Sequence, residues 1–150
     1  MRGLECCIGD GRHRLASADI AELQALLSAG EITSTALVRR CLARIDAFDV
    51  AGPKLNAMIY VNPNALAEAQ RMDAARAADA VRGPLHGIPL VIKDNYDTHD
   101  MPTTAGSVAL KGHRPSADAF QVKRDGTARD QCAGRLHRRR AAGGRRAIRT

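Results

Sequence analysis

Apolar residues recur at helical spacing through the first third of the chain. Ile20, Leu23, Leu26 and Leu27 form one stripe behind Ser17, which can cap a helix, and Gly30 stands in the stopping position. A second stripe, Leu37, Cys41, Ile45 and Phe48, follows Thr33 or Ser34 as cap and ends before Ala51-Gly-Pro53, with Arg39, Arg40 and Arg44 on its flanks. The pattern then changes. Asn56-Ala-Met-Ile-Tyr-Val61 reads as a strand, and Asn62-Pro63 supplies a cap and first-turn proline for an alanine-rich helix to about Ala80. Gly83-Pro84 closes that helix. Leu90-Val-Ile92 places branched aliphatics at successive positions, the pattern of a strand covered on both faces, as in a parallel sheet with helices above and below. Ser116 is expected to cap a further helix with Asp118 in its first turn. Beyond Asp125 the periodicity ceases, and residues 133–147 contain only arginine, alanine and glycine apart from Leu136 and His137, so no packed element is expected there. The chain thus divides into an irregular arm (1–16), an α/β portion (17–124) and a disordered Arg/Ala/Gly-rich tail (125–150).

Composition sharpens this division. The 150 residues suit one domain or part of a larger one. Of the 45% hydrophobic content, 27 residues are alanine and only two are phenylalanine, so the supply of large core side chains is modest. The net charge of +7 is unevenly placed. Residues 122–150 hold ten Lys/Arg against Asp125 and Asp130, or +8, which leaves −1 for the first 121 residues. Basicity belongs to the tail and does not argue for a nucleic-acid-binding fold. Cys6, Cys7, Cys41 and Cys132 have no paired metal spacing and no disulfide-framework pattern, which predicts reduced thiols and a cytoplasmic protein. No apolar run near residue 1 resembles a signal peptide, and none suits a membrane span.

One lysine draws attention. Lys93 closes the apolar strand, and strand carboxyl ends are where ligands and catalytic groups gather in open α/β sheets. Burial there would penalise its ammonium, and a neutral lysine can act as a base. Around it run Gly83-Pro-Leu-His-Gly-Ile-Pro-Leu-Val-Ile-Lys-Asp-Asn95, then Met101-Pro-Thr-Thr-Ala-Gly-Ser107, then Ser116-Ala-Asp-Ala-Phe120. In their order and spacing these segments resemble the amidase signature family of serine hydrolases, and the resemblance extends over residues 17–124. It implies an α/β/α fold around a mixed sheet, of which this would be the N-terminal portion. It also implies hydrolysis of carboxamide C–N bonds by a serine nucleophile, a second serine held by a cis peptide, and a lysine matched by Lys93. Asp94 and Asn95 match the residues beside that lysine, and Thr103, Thr104, Gly106 and Ser107 match a loop near the site. The resemblance implies a small-molecule amide substrate and neither a metal nor an organic cofactor. The run from Lys93 to Thr98 is closer to a general amidase than to its relative within the family, the glutamyl-tRNA amidotransferase component that channels ammonia onto aminoacyl-tRNA.

The departures from the family pattern carry their own expectations. The family's serines lie in a glycine- and serine-rich segment downstream of the lysine, and this chain has no such run; its Gly143-Gly144 pair is followed by arginines. The change of composition near Arg124 predicts a frameshift and premature termination, because GC-rich coding DNA read out of frame yields arginine, alanine and glycine. A fragment holding only the lysine is expected to be inactive alone, with the Lys93 strand short of sheet neighbours. Ser107 lacks both Ser-x-x-Lys spacing to Lys111 and a Gly-x-Ser-x-Gly elbow, so it reads as a loop or cap serine. His86, His99 and His113 show no ligand spacing and read as structural or solvated. The tail also admits a phosphate-contacting arm that binds nucleic acid non-specifically, although it has no aromatic residues for base stacking.

Overall fold

The computed structural model describes residues 18–124 and 132–136. The expected irregular arm over 1–16, and the expected disorder over 125–131 and 137–150, lie outside the described residues.

Helix α1 (Ile20–Ser28) starts two residues later than the Ser17 cap implies. Asp19 accepts from the Glu22 N–H (2.8 Å) while the Glu22 carboxylate accepts from the Asp19 N–H (3.0 Å), a reciprocal capping box. Gly30 ends the helix at φ +70°, a conformation glycine adopts without steric cost. Helix α2 (Ser34–Ile45) is capped by the Thr33 hydroxyl, which accepts from Ala36 N–H at 3.1 Å. It then widens into a π-helical turn, Asp46–Val50. That widening takes Phe48 off the stripe: it is exposed, with the Arg44 guanidinium 5.7 Å above its ring. Asp49 fastens the chain beyond by accepting from the N–H groups of Ala57 (2.6 Å) and Met58 (3.2 Å).

Strand β1 (Met58–Val61) leads to helix α3 (Ala65–Ala77). Asn62 is not its cap. Buried Asn62 instead accepts from the Asn64 N–H (2.8 Å) and donates to Glu68 (3.0 Å), so α3 begins after Asn64 and stops short of Ala80. Strand β2 (Leu90–Lys93) follows a turn-rich link, then a short 3-10 turn (Val108–Leu110), α4 (Phe120–Arg124) and β3 (Cys132–Leu136). Ser116 does not cap α4, which starts at Phe120. Asp118 precedes that helix and serves His99 instead, as described below.

The sheet has the order β1-β3-β2, with β3 antiparallel to β1 and parallel to β2. Two expectations change here. Residues 132–136 are a central strand, and the Lys93 strand has a neighbour. The slot between β1 and β2 asks for backbone donors and acceptors, and a five-residue segment free of proline supplies them whatever its side chains. Nor do the described residues cover both faces of β2, as the sequence pattern led us to expect. Leu90 and Ile92 are half-buried, whereas Val91 and Lys93 are exposed. Helix α2 lies against both α3 and β3. The core falls in two small clusters on that side: Leu27, Leu37 and Ile88, and Val38, Ala65 and Ala69. Alanine enters the second cluster, through Ala65 and Ala69, while leucine, isoleucine, valine and methionine make up the rest of the buried apolar side chains among the described residues.

Candidate active site

The site is built at the end of β2, where the chain turns and the 101–107 loop returns to it. Lys93 is the last strand residue and is exposed. Its carbonyl accepts from Tyr96 N–H at 3.1 Å, which closes a turn containing exposed Asn95. Asp94 is 3% exposed. Its carboxylate accepts from the Thr104 N–H (3.1 Å), the Thr104 hydroxyl and the Gly106 N–H (3.3 Å), while its carbonyl accepts from Ala105 N–H (3.0 Å). Three successive backbone N–H groups thus converge on one residue. Such convergence needs an unusual backbone, and Ala105 and Gly106 adopt φ values of +48° and +75°.

The structure therefore brings Asp94, Thr104 and Gly106 together and sets Lys93 beside them in the chain. Thr103 and Ser107 belong to the same loop with other partners. Thr103 is buried, its N–H donates to the His113 carbonyl (2.9 Å), and its hydroxyl has no hydrogen-bond partner among the described residues. Ser107 is exposed, and its hydroxyl accepts from Ala109 N–H (3.3 Å) at the start of the 3-10 turn, a capping role.

Around this site lie contacts that hold it in place. His99 N–H and Nδ1 both meet Asp118 Oδ1, at 2.8 and 2.9 Å, and Ala119 N–H donates to the Asp97 carbonyl at 2.9 Å. These tie the loop after Lys93 to the start of α4. The sequence reading missed this pair, because nineteen residues separate its members and no local signal joins them. With Asp100 they form a group whose ligand atoms lie within 4.8 Å of one another, although the His99 nitrogen is already engaged. His86 is fully buried. It accepts from Arg82 N–H at Nδ1 (3.4 Å), so Nε2 carries the proton and donates to the Met72 carbonyl (3.0 Å). Its own carbonyl accepts from Gln24 and Arg76, both at 2.9 Å, which locks the Gly83–Ile88 turn to α1 and α3. The His86 reading as structural thus has a geometric basis. Cys41 is a free thiol whose burial pushes its pKa up, with nearby Arg44 opposing. No described helix is long and apolar enough to cross a membrane.

The chain matches the Amidase family over residues 36–125, more than half of its length. It is 42% identical over 110 residues to an amidase homologue of Schizosaccharomyces pombe, covering 73% of this chain and 18% of that one. Against a glutamyl-tRNA(Gln) amidotransferase component of Chloroflexus aurantiacus the identity is 42% over 106 residues, covering 70% and 21%. Among solved structures, the native peptide amidase of Stenotrophomonas maltophilia superposes with a TM-score of 0.73 at 48% identity, over 83% of this chain and 25% of that one. The chain therefore spans about a quarter or less of the length of these relatives.

Proposed function

Because the chain belongs to the amidase signature family, we propose that it supplies the lysine half of a Ser-cis-Ser-Lys site for hydrolysing the C–N bond of a carboxamide. The observation that carries this reading is the placement of Lys93 at the end of β2, next to a buried carboxylate that fastens the Thr104–Gly106 loop. In this role Lys93 accepts a proton through the bridging serine as the nucleophile attacks the amide carbonyl, and returns it to the departing nitrogen. Asp94 and Thr104 act behind it by holding the loop. Asn95, Thr103, Gly106 and Ser107 complete the surroundings of the strand end.

This sequence contains no Gly/Ser-rich segment to furnish the two serines, so cleavage requires a serine-bearing portion supplied in addition to it. The substrate class is a small carboxamide, and the run from Lys93 to Thr98 favours a general amidase over transfer of ammonia to an aminoacyl-tRNA. The reading places the work in the cytoplasm, in accord with the free Cys41 thiol. Ammonia release from a simple carboxamide tests it. This chain alone should give none above background. Hydrolysis that persists unchanged in Lys93→Ala would overturn the role given to Lys93.

A second reading concerns the tail, where +8 over residues 122–150 favours non-specific contact with phosphate backbones. Nucleic-acid binding that weakens with salt and disappears on deleting residues 125–150 is the expected result. Binding that survives the deletion would refute it.

A further inference from the structure

We propose that His86 is a proton-sensitive latch: with a neutral ring it clips the Gly83–Ile88 turn to α1 and α3, and a second proton on that ring releases the turn and the start of β2. The inference does not depend on the chemistry assigned to Lys93. His86 is fully buried, and both ring nitrogens are committed in a way that only the neutral imidazole satisfies. Nδ1 accepts from the Arg82 N–H at 3.4 Å, whereas Nε2 donates to the Met72 carbonyl at 3.0 Å. A proton added at Nδ1 would turn that acceptor into a donor facing the Arg82 N–H.

The added charge would be equally ill placed. From α3, Arg76 brings its guanidinium onto the His86 carbonyl at 2.9 Å, and its other hydrogen bonds go to the Ser28 hydroxyl (3.3 Å) and to Gln24 Oε1 (3.0 Å), neutral acceptors all. From α1, Gln24 donates to the same His86 carbonyl at 2.9 Å and is uncharged. From α2, the Ser34 hydroxyl abuts the turn at Gly87 and is uncharged as well. Asp73 follows Met72 in α3, but its carboxylate is taken up by Ser34 and Thr35. An imidazolium would thus stand fully buried beside a guanidinium, where a medium of low polarity strengthens their repulsion. Water accepts the charge, so the ring gains its proton by leaving.

What the latch holds is the approach to the sheet. Inside the turn the His86 N–H donates to the Gly83 carbonyl and the Ile88 N–H to the Leu85 carbonyl, both at 3.1 Å, and β2 begins two residues after Ile88, at Leu90. A ring that is neutral when the turn is closed and charged when it is open makes the closed form lose ground as pH falls. A solvated imidazole takes its proton at about pH 6.5, so below that value opening should grow by up to about tenfold per pH unit, and above it opening should not vary.

The test is native-state hydrogen exchange of the full chain by NMR between pH 8 and pH 5, above the range in which Asp73 titrates, with each rate divided by the intrinsic rate at that pH. Protection of the His86 and Ile88 amides should fall by up to about tenfold per unit below about pH 6.5. That of Leu37, whose N–H donates to the Thr33 carbonyl in α2, should hold. His86→Gln keeps a donor for the Met72 carbonyl and takes no proton, so its turn should be equally protected at both ends of the range. A fall that persists in His86→Gln would overturn the proposal, as would a wild-type turn whose protection ignores pH or falls in step with Leu37. If His86→Gln does not fold, the nitrogen spectrum of the wild-type ring decides. A second ring proton that arrives together with loss of turn protection supports the latch, and one acquired while the His86 and Ile88 amides stay protected overturns it.

Discussion

A carboxylate with 3% exposure must find its hydrogen-bond donors inside the protein, and Asp94 finds them in the backbone of Thr104 and Gly106 and in the Thr104 hydroxyl. The arrangement holds Ala105 in a left-handed conformation that alanine does not favour, so part of the interaction energy offsets local strain. Asp94→Ala would leave those donors without their acceptor. We expect a loss of about 1–3 kcal/mol in unfolding experiments, with faster hydrogen exchange at the Thr104 and Gly106 amides. Unchanged exchange at those amides would mean that the loop is held by something other than Asp94. Gly87 makes a second residue-scale case. A Cβ there would lie 2.2 Å from Ser34 Oγ, on a backbone at φ +82°. Gly87→Ala should cost about 1–3 kcal/mol through overpacking, plus the left-handed penalty. Because Ser34 Oγ has no hydrogen-bond partner among the described residues, Ser34→Ala should restore part of the loss in that background, and a double variant no more stable than Gly87→Ala would locate the cost in the backbone alone. The sequence motif made Gly87 and His86 visible, but their reasons lie in contacts with α1, α2 and α3 that no local pattern encodes.

At the scale of elements, α2 is fastened to α3 through its own first turn. Asp73 accepts from the Ser34 N–H (2.7 Å), the Thr35 N–H (3.0 Å) and the Thr35 hydroxyl (2.7 Å), so an acidic group from one helix caps the amino end of another. Burial pushes the Asp73 pKa up, but the hydrogen bonds from Thr35 and Ser34 outweigh it and hold the group below its ordinary value of 3.8. A carboxyl whose folded pKa is depressed stabilises the fold above its unfolded pKa, and the contribution is lost as pH falls through the folded value. Unfolding stability measured from pH 7 to pH 2 should therefore decline below about pH 4, and Asp73→Asn should flatten that decline while lowering stability at neutral pH. An unchanged acid limb in the variant would assign it to other carboxylates. Thr33 and Gly30 were legible because caps and stops use chemistry within four residues. The Asp19-x-x-Glu22 box uses the same local chemistry, yet the sequence reading took Ser17 as the cap and missed it. Asp73 was not legible, since its partners are thirty-eight and thirty-nine residues away. The exposure of Lys93 was hidden for a related reason. Two branched aliphatics beside one another signal a strand able to be covered on both faces, and whether a layer is there to cover the second depends on chain elsewhere.

Across the whole molecule, β3 is the piece on which the sheet depends and the piece least visible in the sequence. Cys132-Ala-Gly-Arg-Leu136 has little of the β-branched and aromatic character that marks a strand, and it stands in the arginine-rich region whose composition argues for disorder. Yet β1 and β2 do not neighbour each other in the sheet: each pairs with β3, one antiparallel and one parallel. A chain ending at Arg124 would leave both strands with unpaired N–H and C=O groups along their inner edges, and each such group costs about 1–3 kcal/mol when it cannot reach water. We expect the truncated chain to lose hydrogen-exchange protection at Tyr60 and Ile92, to unfold with reduced cooperativity and to self-associate through the freed edges. The helical pair α2 and α3, joined through Asp73, should keep its protection in the same experiment. Gly134→Pro in the full chain removes one ladder donor without removing the tail's charge, and so separates pairing from electrostatics. If that variant behaves like the truncation, the tail serves the fold as a strand. Strands β1 and β2 protected equally in all three proteins would mean that the sheet is held without β3, and the basic segment would then be left with only its charge to explain it.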